Sequence, residues 1–131
     1  MELHIKISGV LFITLSLFHI FFPKRFGWKQ ELSVITLFTR QILYVHTFFI
    51  AFMLLLMGLL CVTSAQELSQ TILGERICLG LGVFWLTRLF FQIFVYSKKL
   101  WFGKKFETFI HIIFSFFWLY FSFVFLTVWF D

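Results

Sequence analysis

The chain has 131 residues, of which 61% are hydrophobic and 13% charged, with a single proline, and its mean hydropathy is +0.98. Soluble domains carry about a quarter charged residues, so this balance excludes a water-soluble globule and indicates an integral membrane protein. The net charge of +5 comes from basic residues that flank apolar runs and form no separate basic domain, which argues against nucleic acid as a partner.

Four runs approach or exceed the about 20 apolar residues that a helix needs to cross a hydrocarbon core. They predict spans over 4-22, 41-62, 74-96 and 107-130 in one all-α domain, a four-helix bundle with up-down-up-down order. The basic pair Lys24 and Arg25 follows the first run, and no small-residue cleavage pattern comes after it. A signal anchor is therefore expected in place of a removed leader. The loops are short, and no internal repeat or low-complexity tract is read.

After the first span, FGWKQELSVITLF sets Trp28, Leu32, Ile35 and Phe38 at roughly helical spacing, with Lys29, Gln30 and Glu31 beside them. This predicts a short interfacial helix over 28-38 on the inner leaflet, or an early, tilted start to the second span. Lys24, Arg25, Lys29 and Arg40 lie between spans one and two, and Lys98, Lys99, Lys104 and Lys105 between three and four. The intervening TSAQELSQTILGE carries none. Under the positive-inside bias both basic loops are cytoplasmic, both termini lie on the non-cytoplasmic side, and the cell (inner) membrane is the expected location. The basic loops would attract anionic lipid headgroups.

Cys61 and Cys78 fall near the outer ends of the second and third spans. A bridge between them is conceivable, but separate, small, buried thiols are the expected arrangement. No C-x-x-C supports thiol redox chemistry.

Polar side chains inside spans are costly and usually face the interior or a cavity. At about 1.5 Å per residue, His19, His46, Arg88, Gln92 and His111 all fall roughly 5 to 13 Å from the cytoplasmic ends. Phase supports convergence: His111, Ser115, Trp118 and Ser122 share one stripe, and Trp85, Arg88, Gln92 and Tyr96 another. Ser8, Phe12, Leu15 and His19 form a third, and Thr39, His46 and Met53 share a face at heptad spacing. Trp101 and Trp129 read as interfacial anchors and the 23 phenylalanines mostly as lipid-facing bulk.

The six acidic residues sit in loops or at span ends, which disfavours a proton or cation pathway. An intramembrane arginine without a carboxylate at its depth invites an anionic or carbonyl-bearing ligand. The candidate ligand-binding residues are Arg88, Gln92, Tyr44, Tyr96 and Ser115. His46 and His111 are candidate axial ligands of haem b, and His19, His46 and His111 a candidate transition-metal set, although no paired spacing on one helix supports a metal. A quinone or lipid headgroup held by Arg88, Gln92 and the histidines is the non-metal form of the same site. No catalytic residue is assigned. Each polar residue also has a plainer reading as an interhelical hydrogen-bonding group, which makes the alternative a membrane interaction or assembly protein with a membrane-protein partner and no prosthetic group. For Arg88 that plainer reading is an ion pair with Glu107.

Overall fold

A computed structural model describes residues 1–25, 27–96 and 102–130. The expectations placed on Lys98, Lys99 and Trp101, and on the Arg25 side chain, lie outside this description. The described residues are helical, without strands. Among the described residues, four helices are long and apolar enough to cross a membrane, over Glu2–Phe21, Leu37–Thr63, Ile72–Val95 and Lys105–Phe130.

The first helix, α1, runs over Glu2–Arg25. Gly27, in the left-handed region at φ 67, then turns the chain, a conformation that costs glycine little. A single helical turn, α2 (Trp28–Glu31), continues into a 3-10 turn over Leu32–Val34. Extended backbone at Ile35 and Thr36 separates these turns from α3 (Leu37–Thr63). The expected 28-38 segment is therefore a short helical turn followed by a capped start of the next span. Thr36 Oγ1 accepts from the Thr39 amide at 3.2 Å, satisfying one of the donors a helix start leaves open. Trp28 meets Tyr44 edge-on at 5.7 Å.

Beyond α3 come α4 (Ala65–Gln70) and α5 (Ile72–Phe90), the latter capped by Thr71, whose Oγ1 accepts from the Gly74 amide at 2.9 Å. A five-residue π-turn over Phe91–Val95 closes the third span, and α6 follows over Lys105–Phe130. Spans begin at Leu37 and Ile72, ahead of the expected 41 and 74, because the capping threonines set the start and hydropathy does not register them.

The chain divides into two compact units, Ile5–Ala65 and Met1–His4 with Gln66–Asp131. In the first, α1 and α3 touch backbone to backbone. A Cβ on Gly9 would stand 2.8 Å from the Gly58 carbonyl oxygen, and one on Gly58 would stand 2.7 Å from that of Gly9. Ser16 Oγ donates to the Ala51 carbonyl at 2.6 Å. Such small-residue approach and hydroxyl bonding are how helices associate where lipid removes the hydrophobic drive.

In the second unit, α5 lies against α6. The Trp85 and Trp118 rings stack at 4.9 Å and 16°, and Phe121 sits 5.0 Å from Trp85. A Cβ on Gly82 would meet Leu126 Cδ2 at 2.7 Å. At the other end, His4 Nδ1 is 2.9 Å from the Tyr120 hydroxyl, and Gln70 donates to Glu2 at 3.4 Å. Cys61 and Cys78 are buried thiols, and Cys78 donates to the Leu68 carbonyl at 3.5 Å.

Candidate functional site

The second unit gathers Arg88, Gln92, Tyr96, His111 and Trp118. Arg88 lies in the last turn of α5, and Gln92 enters the π-turn as its one buried residue. The extended backbone at Tyr96 (φ −65, ψ 135) ends the helix. The Tyr96 hydroxyl accepts from Arg88 Nη1 at 2.9 Å, and the guanidinium lies 5.6 Å from the Tyr96 ring centroid. It also lies 5.6 Å from the Trp118 ring.

Gln92 spans the gap between α5 and α6. Its Oε1 accepts from Trp118 Nε1 at 3.3 Å, and its Nε2 donates to His111 Nδ1 at 3.0 Å. Trp118 is therefore stacked on one neighbour, Trp85, and hydrogen-bonded to another. Ser115 belongs to the same stripe, but its hydroxyl donates to the His111 carbonyl of its own helix at 2.8 Å. Among the described residues, the contacts of Arg88 are aromatic and not to the Glu107 carboxylate, which is exposed.

The electrostatics follow from this. A charged group within a span costs about 2.5 to 3.5 kcal/mol at the bilayer centre on insertion scales, less nearer the interface. One cation–π contact returns about 0.5 to 2 kcal/mol. The aromatic groups thus offset part of the cost of Arg88 without neutralising its charge.

The remaining sequence candidates lie in the first unit. The stripe Ser8, Phe12, Leu15 is buried, with His19 half-buried at its end. Nδ1–H of His19 donates to the Leu15 carbonyl at 2.8 Å. His46 behaves alike toward Ile42 at 2.8 Å, but it is exposed, as are Thr39 and Met53. Within its unit, α3 buries Ala51, Leu54, Gly58 and Cys61 and leaves the expected inward face at Thr39, His46 and Met53 exposed. Small residues that admit α1 closely, and not the polar ones, decided which face is covered. Tyr44 is about a third exposed, at 37%, and packs on Trp28.

Among the described residues, no group of three or more His, Cys, Asp or Glu side chains could hold one metal ion. The expected set of His19, His46 and His111 has no such support, in keeping with the absence of a paired histidine spacing on any helix. Sequence reasoning placed Trp118 on the right stripe but missed its part as a donor to Gln92. A usable signal was present, since Trp118 lies two helical turns from His111 and indole N–H groups need an acceptor when buried. The π-turn left no sequence signature apart from a glutamine in an apolar run.

No family model, curated protein or solved structure matches this chain.

Proposed function

We propose that this is a small polytopic membrane protein that binds the polar end of an amphiphilic ligand, a quinone or a lipid headgroup, at Arg88, Gln92 and His111. One observation carries the reading: Arg88 is held inside a span by Tyr96 and Trp118, with its positive charge uncompensated by the described carboxylates. A guanidinium in that state favours a phosphate, carboxylate or carbonyl oxygen, which its planar fork can meet with two donors. The phenylalanine-rich lipid-facing surface suits the apolar tail.

Both basic loops then face the cytoplasm, which puts the Arg88 layer near the inner leaflet. In a bacterial cell the protein would sit in the inner membrane.

The test uses protein purified in mild detergent and analysed by native mass spectrometry and solvent extraction. Arg88→Lys keeps the charge but loses the fork, and should lower ligand retention about tenfold, the equivalent of one charge-assisted hydrogen bond, while thermal unfolding stays within a few degrees. Parent protein that carries no quinone and no enriched lipid would refute the proposal.

A second reading has its own support. Both ends of the Gln92 amide are occupied by α6, as in a lock between two helices, and this fits a membrane assembly protein without a bound group. Under that reading Arg88→Lys and Gln92→Leu loosen α5 from α6 and change no co-purifying molecule.

A further inference from the structure

The Gln92 network settles a question of chemistry because its members have fixed roles. An indole Nε1–H is only a donor, and a glutamine amide has one accepting and one donating end. The atom of Gln92 that faces Trp118 at 3.3 Å must therefore be the oxygen, whatever amide orientation is assigned. Its nitrogen then faces His111 Nδ1 at 3.0 Å. An amide nitrogen accepts nothing, so Nδ1 must present its lone pair, and the ring proton lies on Nε2.

His19 and His46 show the opposite case. Each donates Nδ1–H to the carbonyl four residues earlier, which leaves the lone pair on Nε2, the state in which histidine binds metals.

We infer that Trp118, acting through Gln92, holds His111 as the Nε2–H tautomer, so that this layer is built of donors and takes an acceptor oxygen, of a quinone carbonyl or a lipid phosphate, in place of a metal ion or haem iron. Iron or zinc at His111 needs a lone pair on Nε2. Providing it would require moving the proton to Nδ1, against the Gln92 N–H, or turning the amide over, against the Trp118 N–H. Trp118 and Gln92 are accordingly positioning residues. The ligand class follows from the binding role proposed above and narrows it, whereas the tautomer does not depend on that role.

The two parts separate in one set of measurements on the full-length protein, with side-chain nitrogen-15 labelled histidine, reconstituted in bilayers. His111 is identified as the resonance lost in His111→Phe. The expected spectrum has a proton coupled to Nε2 and none to Nδ1. A proton on Nδ1 overturns the inference. Gln92→Glu, recorded at alkaline pH so that the carboxyl is ionised, replaces the amide with a group that only accepts, so Nδ1 should become protonated; an unchanged tautomer in a folded, ionised variant would remove Gln92 from its positioning role.

The ligand arms use protein with nitrogen-15 labelled arginine, add decylubiquinone or phosphatidylglycerol vesicles, and observe the guanidinium resonance lost in Arg88→Lys. A shift with the quinone alone identifies a carbonyl ligand, and a shift with the anionic lipid alone identifies a phosphate. Haemin giving an iron spectrum that disappears in His111→Phe overturns the inference. If both oxygen ligands leave Arg88 unmoved while the tautomer is as expected, the ligand class is overturned together with the binding role, and the positioning of His111 stands.

Discussion

Trp118 couples two kinds of contact through one side chain, a ring stack on Trp85 and a hydrogen bond to Gln92. Removing one at a time separates them. Trp118→Phe keeps an aromatic ring against Trp85 but strands the Gln92 oxygen, and Gln92→Leu strands the indole N–H. A buried polar group left without its partner costs about 1 to 3 kcal/mol, while interhelical hydrogen bonds in membranes average about 0.6 kcal/mol. Each single change should therefore lower stability by about 1 kcal/mol, and the double variant by less than the sum, with a coupling of about 0.5 kcal/mol or more. Reversible unfolding in mixed detergent micelles measures this, and strict additivity would mean that the bond is not made. At this scale the sequence was informative where helical spacing and packing agreed. His111, Trp118 and Ser122 share a stripe in both readings, whereas within its unit α3 is covered along its small residues and leaves His46 exposed. Hydrogen-bond direction was beyond the sequence, since it requires knowing which atoms meet.

Helix starts and helix crossings were legible to different degrees. The four apolar runs predicted four long helices, and four are present among the described residues. Their ends shifted because threonine caps, not hydropathy, begin α3 and α5. Crossing points were not foreseen, although glycine offered a signal. A Cβ on Gly9 or Gly58 would meet the carbonyl oxygen of the other, while a Cβ on Gly80 would meet nothing within 4 Å. Gly58→Ala should thus push α1 and α3 apart and cost about 1 to 3 kcal/mol, as overpacking does. Gly80→Ala should be neutral or stabilising by about 0.5 to 1 kcal/mol, because alanine loses less backbone freedom in a helix. The same unfolding measurement distinguishes them, and equal effects at the two glycines would contradict the crossing. The π-turn at Phe91–Val95 belongs to this scale too. π-turns recur at functional sites, and this one carries the amide that joins α5 to α6.

At the scale of the whole chain the remaining prediction is its direction through the membrane. Eight of the eleven basic residues, Lys24, Arg25, Lys29, Arg40, Lys98, Lys99, Lys104 and Lys105, lie in the connection between the first and second long helices, in that between the third and fourth, or in the helix ends that border them. The connection through α4 holds Glu67 and no lysine or arginine, and Glu75 and Arg76 follow in the first turns of α5. Because the orienting bias counts lysine and arginine in short loops and gives little weight to acidic residues, the two basic loops should share the cytoplasmic side. Four crossings return the chain to the side where it began, so a reporter fused after Asp131 should read as external. One inserted at Gly103, which lies in a turn at φ 77 between the third and fourth long helices, should read as cytoplasmic. Alkaline phosphatase and green fluorescent protein fusions give opposite signals at these two positions if the orientation holds. The result also fixes what Arg88 meets. It stands seven residues before Val95, the end of its span, or roughly 10 Å along a helix, on the side of the second basic loop. With that loop inside, the ligand proposed for Arg88 would come from the inner leaflet, where anionic headgroups are concentrated. A cytoplasmic signal from the C-terminal fusion would move the whole layer to the outer leaflet, and an inner-leaflet lipid would then be ruled out as the ligand proposed for Arg88.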